Sequence, residues 1–541
     1  LRKILNRPEA ILSLHGENMT LTEKRWTLKE VRNAEAVSQL SEALQISPLL
    51  ARLLVLRGVD TAERAKLFFR PQLSDLHDPF LMPGMDEAVR RIQKALANKE
   101  KILVYGDYDV DGTTAVALVY SYLKHFTDAL EYYIPDRYKE GYGISFQGID
   151  YAKKEGFGLI ISLDCGIKSV DKVAYANESG IDFIICDHHL PGETLPAAVA
   201  VLNAKIPGST YPYQELSGCG VGYKLIQALH TVLGGKEEWV TEQLDLVAVS
   251  IAADIVPITG ENRVLAFFGL QELNKRKRRG FSAILDLAGF RKSVTVTDIV
   301  FTISPRINAA GRLTSGKKAV ELLISETPDL AFSQGEEINE TNIKRQSLDK
   351  QITEQALQML SNDPHANTRK STVVYHPEWH KGVVGIVASR LTEKYYRPTI
   401  VLTLSNGMVT GSARSVKDYD IYEAISACSH LLEQFGGHKY AAGLSLKPEN
   451  LEMFILEFER VVSESIEEHL LIPEIEIDAE VNLGELDDKF NRILKQFAPF
   501  GPGNMAPVLK SGELRDRGGA RLVGNNHLKM DLTDSKSGRN F

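Results

Sequence analysis

The 541 residues contain no run of about eighteen uncharged apolar residues, the minimum for a membrane-spanning helix. The most apolar stretch, 244–258, is broken by Asp245 and Asp254. The first twelve residues mix basic and apolar positions without a continuous apolar block, so they do not read as a secretory signal. Cysteine is scarce. Cys165, Cys186, Cys219 and Cys428 are scattered with no CxxC pair, which argues against a disulfide framework or a zinc ribbon and for a reducing, cytoplasmic compartment. A surplus of positive charge is missing too. The formal net charge of −8 does not announce a polyanion binder, although a basic groove can coexist with an acidic remainder. Internal repeats and low-complexity tracts are absent.

What remains is an ordinary globular composition, 43% hydrophobic and 25% charged, in a chain too long for one core. Two large domains and a smaller module are expected. From 101 to about 204, short β-branched runs alternate with helical segments. Strands are expected at 101–105, 130–134, 158–163, 181–186 and 199–202, and helices at 113–126 and 168–179. That alternation predicts an α/β fold with a doubly wound parallel sheet, whose ligands sit beyond the carboxyl ends of the strands. Residues 244–255 read as a buried helix. Residues 326–360, polar with Leu and Ile at helical intervals, read as a helical linker between lobes. A second α/β unit follows, with strand 372–375, helix 383–395 and strand 399–404. Asn406-Gly407 then signals a hairpin turn into 408–413. Beyond Pro473, short strands and Gly/Pro turns suit a small OB-like β-barrel, expected to stop before the barrel closes.

The acids fall in a telling order. The first strand runs into Gly-Asp107-Tyr-Asp109-Val-Asp111-Gly, the third into Asp164-Cys-Gly, and the fourth into Asp187-His188-His189. Asp254 lies near the end of the apolar helix. Parallel strands bring their carboxyl ends to one edge, so these groups should share one crevice. Carboxylates so gathered repel unless a cation neutralises them. Aspartate oxygens with one or two imidazoles favour Mn²⁺ or Mg²⁺ over a thiolate-bound metal. An Asp after a strand is often just a helix cap or turn residue, but three successive strand ends plus Asp-His-His are hard to explain that way.

These segments resemble the DHH phosphoesterase superfamily, with residues 106–112 similar to its first motif in the RecJ form. Asp164-Cys165-Gly166 resembles the second motif, Asp187-His188-His189 the one that names the group, and Ala253-Asp254 the fourth. Residues 379–390, 411–415 and 436–443 resemble the associated DHHA1 domain. Residues 134–137, 140–143 and 305–312 are similar to blocks of RecJ proteins. The resemblance covers roughly residue 23 to the end. It implies a 1–22 N-terminal extension, a 23–325 DHH catalytic domain, a 326–362 helical linker, a 363–465 DHHA1 domain and a 466–541 OB-like nucleic-acid-binding module.

By the same resemblance, Asp109 and Asp164 hold one cation, and Asp111, Asp164, His188 and Asp254 hold the other, with Asp164 bridging. His189 contacts the scissile phosphate or orients a ligand, so that His189 and Asp164 are the expected catalytic pair. Many family members place a histidine where this chain has Tyr105, which weakens the first cation site and brings in Asp107. Two cations about 4 Å apart suit in-line phosphoryl displacement. Arg137, Arg306, Arg312, Ser412 and Arg414 are candidate phosphate contacts, since guanidinium pairs bidentately with phosphate oxygens. His380 and His438 read equally as phosphate contacts or satisfied core histidines. The basic run 275–279 reads as a solvated face before it reads as a DNA contact.

The implied activity is 5′-to-3′ degradation of single-stranded DNA to 5′-mononucleotides, in repair and recombination. A single-strand-binding protein, a helicase and repair factors are the implied partners, with a monomer as the default. The alternatives are a DHH phosphoesterase acting on short oligonucleotides or cyclic dinucleotides, and a non-catalytic replisome scaffold.

Overall fold

The computed structural model describes residues 24–524, 527–535, 538 and 540. The expected N-terminal extension, 1–22, lies outside the described residues. The chain divides into two compact units. One comprises Glu30–Asn342 with the segment from Asp478, and the other comprises the segment up to Lys29 with Ile343–Ile477.

In the first unit, the expected strands form Ile102–Gly106 (β1), Leu130–Tyr133 (β2), Leu159–Leu163 (β3), Asp182–Cys186 (β4) and Ala200–Leu202 (β5). Every residue of β1 and β3 is buried, as strands covered on both faces require. Successive side chains point to opposite faces. Ile102 and Val104 enter a core shared with Val116, Leu225 and Val247, whereas Leu103 and Tyr105 enter a second core with Ile149 and Phe183. The sheet order is β2-β1-β3-β4-β5, and all pairs are parallel. This is a doubly wound order whose direction of winding reverses between β1 and β3, where a crevice opens at the carboxyl edge.

Three helices frame that crevice: Val110–Leu123 (α1), Gly218–Leu233 (α2) and Leu244–Ala253 (α3). Helix α1 starts three residues before its expected position because Asp109 caps it, accepting a hydrogen bond from the Gly112 N–H at 3.0 Å. Asp111 therefore sits in the first turn instead of in a loop. The basic run 275–279 is used internally. Arg278 makes a bidentate pair with buried Asp245, at 2.8 and 3.0 Å, while Lys277 pairs with Glu242 and Arg276 with Asp286.

The segment after 478 contributes short ladders: Ala479–Val481 with Leu509–Ser511, Leu514–Asp516 with Leu532–Asp534, and Arg521–Val523 with His527–Lys529. Arg263 fastens this segment to the rest of the unit. Its buried guanidinium donates to the carbonyls of Phe68, Phe497 and Ala498 and lies 3.7 Å above the Phe68 ring.

The second unit holds a five-stranded sheet built from Thr372–Tyr375 (β6), Thr399–Ser405 (β7), Met408–Arg414 (β8), Gln434–His438 (β9) and Ala441–Leu446 (β10), in the order β9-β10-β8-β7-β6. Only β6 and β7 are parallel, linked through helix Val384–Tyr395 as expected. The rest is antiparallel, so the sheet is mixed. Asn406 and Gly407 both have positive φ, 51° and 76°, the pair that a type I′ hairpin needs. Gly436 and Gly443 face each other across the β9–β10 ladder. The expected linker is a single 35-residue helix, Pro328–Asn362. Among the described residues no helix is long and apolar enough to cross a membrane.

One buried ion pair tests how tightly the first unit is specified. Lys224 and Glu261 are both fully enclosed, 2.9 Å apart. The lysine also donates to the His77 carbonyl, and the carboxylate accepts from Tyr211 and the His77 N–H. Removing one partner strands the other charge. Lys224→Met alone should therefore cost about 3–5 kcal/mol, and the double variant with Glu261→Leu should recover part of that loss. Urea unfolding of wild type and the two variants measures both effects.

Candidate metal centre

His188 is the point on which the site converges. Its Nε2 lies 3.1 Å from Asp164 Oδ1, 3.6 Å from Asp254 Oδ2 and 3.7 Å from Asp111 Oδ2. These four residues come from the ends of β3 and β4, the first turn of α1 and the end of α3. The structure thus brings together all four residues expected around the second cation. Two overlapping groups, Asp164-His188-His189 and Asp111-His188-Asp254, each keep their candidate ligand atoms within 4.8 Å of one another.

The contacts are close without being hydrogen bonds. Asp164 Oδ1 and both ring nitrogens of His188 are buried and lack hydrogen-bond partners, as does Asp107 Oδ2. Leaving buried polar atoms unpaired is costly, so such a cluster calls for something between them. Oxygens and nitrogens sharing an octahedral cation sit about 3 Å apart, close to the shortest distance seen here. The donor set, rich in carboxylate with imidazole added, fits a hard to borderline divalent ion.

Supporting contacts fix each donor. The Gly218 and Cys219 N–H groups at the start of α2 both donate to Asp111, at 2.7 Å, and the Ser250 hydroxyl lies 2.7 Å from its Oδ1. A helix N-terminus is a favourable place to hold a carboxylate. Gly218 has to be glycine, because a Cβ there would lie 2.6 Å from the Asp164 Cβ. Asp164 itself has a left-handed backbone, φ 59°, a strained conformation of the kind that collects at functional sites. Asp187 is the anchor of its own motif. It accepts from the N–H groups of Ile167, His188 and His189, and from His189 Nδ1 at 2.7 Å. His189 Nε2 is thereby left beside the Tyr142 hydroxyl, 3.3 Å away.

The electrostatics carry the mark of crowding. Burial, then Asp111, push the Asp164 carboxyl well above the ordinary carboxylate range. Burial and the same neighbour raise Asp254 to about 8, with His189 and Lys205 pulling the other way. Burial holds His188 below the usual histidine value, against the pull of Asp111. For His189 burial also acts downward, but its bond to Asp187 outweighs this and raises it. Asp187 is lowered to about 2, because its hydrogen bonds overcome burial.

The remaining expected residues are placed as follows. Asp109 caps α1, and its charge is felt by Asp107, Asp164 and Asp254. Asp107 is buried beside it and meets the Gly143 N–H at 3.5 Å; neither acid belongs to the two convergent groups. Arg137 lies 5.0 Å over the Tyr108 ring. Arg306 donates to Asn339 and to the Thr302 carbonyl, and the Arg312 carbonyl accepts from the Tyr138 hydroxyl. In the other unit, Arg414 donates to Ser412 Oγ at 2.9 Å, and β10 pairs Ala441 with Arg414 and Gly443 with Ser412. His380 Nδ1 accepts from the Gly382 N–H, and His438 Nδ1 from the Tyr440 N–H.

Sequence reasoning placed Asp187 in the crevice without giving it a role, and it missed Tyr142, Lys205, Gly218 and Ser250 as parts of the site. Asp187 and Tyr142 stand inside motifs that were visible. The other three reach the site only through the fold and carry no local signal.

Comparison with known proteins agrees with this geometry. Family models match at residues 101–251 (DHH family, N-terminal domain), 369–464 (DHHA1 domain) and 477–541 (RecJ OB domain). The chain is 33% identical to the single-stranded-DNA-specific exonuclease RecJ of Salmonella typhimurium, over 93% of this chain and 89% of that protein. This chain belongs to the RecJ family. It is 38% identical to the RecJ of Bacillus subtilis, covering 96% of this chain but only 65% of that longer relative. The crystal structure of RecJ with Mn²⁺ from Thermus thermophilus superposes with a TM-score of 0.79 at 27% identity, covering 95% of this chain and 78% of that one. The DHH-family match, residues 101–251, contains Asp111, Asp164 and His188, and Asp254 lies just beyond it.

Two measurements test this centre. Carboxyls raised in the folded state favour the fold while protonated and stop doing so as pH climbs through their folded pKa, about 8 for Asp254. The metal-free protein should therefore melt lower at about pH 8.5 than at about pH 6, and Mn²⁺ should raise the melting temperature more at the higher pH. In addition, Gly218→Ala should weaken Mn²⁺ binding about 10–100-fold by calorimetry, because it displaces Asp164 and the Asp111 clamp.

Proposed function

We propose that this chain removes nucleotides from the 5′ end of single-stranded DNA by metal-dependent phosphodiester hydrolysis. The observation that carries the proposal is the convergence of Asp111, Asp164 and Asp254 on His188 Nε2, with buried donor atoms left unpaired. The substrate follows from the family, since both curated relatives are named as single-stranded-DNA-specific exonucleases.

Asp111, Asp164, His188 and Asp254 would hold one divalent cation, Mn²⁺ or Mg²⁺, and Asp109 and Asp164, with Asp107 beside them, the other. Bound there, such ions supply Lewis acidity that activates water and neutralises charge on the phosphate. The residues of the chain do the rest. Asp187 holds His189 so that Nε2 is available to a nonbridging phosphate oxygen. The raised affinity of His189 for its proton lets it donate a hydrogen bond there. Arg137, Arg306, Arg312, Ser412, Arg414, His380 and His438 are the proposed contacts to strand phosphates, and a grip on the terminal 5′-phosphate sets the direction of digestion. Residues 23–325 form the catalytic domain in this reading, 326–362 the linker, 363–465 the DHHA1 domain and 466–541 the nucleic-acid-binding module. The protein works in the cytoplasm as a monomer, in repair and recombination, beside a single-strand-binding protein and a helicase.

The test is digestion of single-stranded DNA labelled at either end, with Mn²⁺, in the presence and absence of a 5′-phosphate. Mononucleotides should leave from the 5′ end, duplex should resist, and Asp164→Ala should lose activity about a thousandfold or more. Cleavage of dinucleotides but not of long strands would move the protein to the short-substrate phosphoesterases. Binding of DNA without cleavage under any metal would make it a scaffold.

A further inference from the structure

Residues 134–145 form neither helix nor strand, yet they carry Arg137 and Tyr142 to the metal centre. On the side of the loop facing that centre, Arg137 stacks on Tyr108, Tyr138 reaches the Arg312 carbonyl, and Tyr142 touches His189. A loop in this position needs an anchor, because a shift of about 1 Å in a substrate contact can cost two orders of magnitude in rate.

The anchor is on the opposite side. The Glu140 carboxylate accepts from the Asp136 N–H at 2.7 Å, the Tyr133 hydroxyl at 3.0 Å and the Ser145 hydroxyl at 2.5 Å, tying both ends of the loop to one charged group. Tyr105 adds a second tie from the sheet. Its hydroxyl donates to the Gly143 carbonyl at 3.0 Å and accepts from the Ser145 N–H at 3.1 Å. Its ring is wholly buried and stacks on Tyr133, with centroids 5.2 Å apart. The side chain at 105 is thus packed in the core of one sheet face, under the loop.

We propose that Glu140 and Tyr105 are positioning residues that clamp loop 134–145, so that Arg137 and Tyr142 meet the terminal phosphate and nucleotide of the strand. This rests on the nuclease reading above. Neither residue touches the strand or a cation.

The test compares wild type with Glu140→Ala, Glu140→Gln and Tyr105→Phe on 5′-phosphorylated and 5′-hydroxyl single strands. Mn²⁺ affinity is measured alongside by calorimetry. Glu140→Ala should raise KM for the phosphorylated strand about tenfold, with kcat within about threefold and Mn²⁺ affinity unchanged. Preference for a 5′-phosphate should shrink by the same factor. Glu140→Gln, whose amide can meet the same hydroxyls once they reorient, should restore most of the effect. Tyr105→Phe should raise KM about two- to threefold, and it carries the test if Glu140→Ala does not fold. A folded Glu140→Ala protein with wild-type KM would overturn the proposal. So would a loss of Mn²⁺ affinity that parallels the loss of activity. A wild type that cleaves neither strand removes the nuclease reading itself, and the inference with it.

Discussion

Buried carboxylates at one edge of a parallel sheet repel each other, and most of what surrounds the centre can be understood as a response to that repulsion. Asp111 takes two backbone N–H groups from the start of a helix and lies beside the Ser250 hydroxyl. Asp187 takes three backbone N–H groups and an imidazole. Asp164 and Asp254 receive no comparable support and are pushed up in pKa by burial and by their neighbours. Support and crowding are thus divided unevenly among acids that meet at one place.

The sheet order explains why the repulsion can be concentrated at all. Winding reverses between β1 and β3, so the loops after those strands separate and open a crevice. Helices α2 and α3 close its floor. Gly218 permits the approach of α2, and the end of α3 delivers Asp254. A strained backbone at Asp164 is tolerated because the strands on both sides over-determine it.

The same economy appears in the cationic groups. Of the basic run 275–279, conspicuous in the sequence, Arg278 makes a buried pair with Asp245, and Arg276 and Lys277 make surface pairs. Arg263, inconspicuous in the sequence, fixes the C-terminal segment by donating to backbone carbonyls alone. An isolated arginine was the better guide to architecture.

The strands β1 to β5, the hairpin at Asn406-Gly407 and the ligand set around His188 were all legible in the sequence. Each is written in local terms, as a β-branched run, a turn dipeptide, or an acid following a strand. Parallel pairing then required those acids to meet. Strands β9 and β10 were not legible, because the hairpin that joins them turns at Lys439-Tyr440 without glycine or asparagine, and β10 docks on β8 across the intervening helix Ile421–Ala427. Gly218, Ser250 and Lys205 were equally hidden, since nothing near them in sequence sets them apart from ordinary cap, helix and loop residues. Tyr105 shows the limit most clearly. The sequence placed it beside the first motif, but the alternation of a strand sends successive side chains to opposite faces, and only the packed sheet decided that the ring at 105 lies under loop 134–145. The sequence by itself determined which groups the chain brings to the centre. The tertiary structure decided which of them converge on His188 and which hold the others in place, because that depends on contacts between segments that the chain order keeps apart.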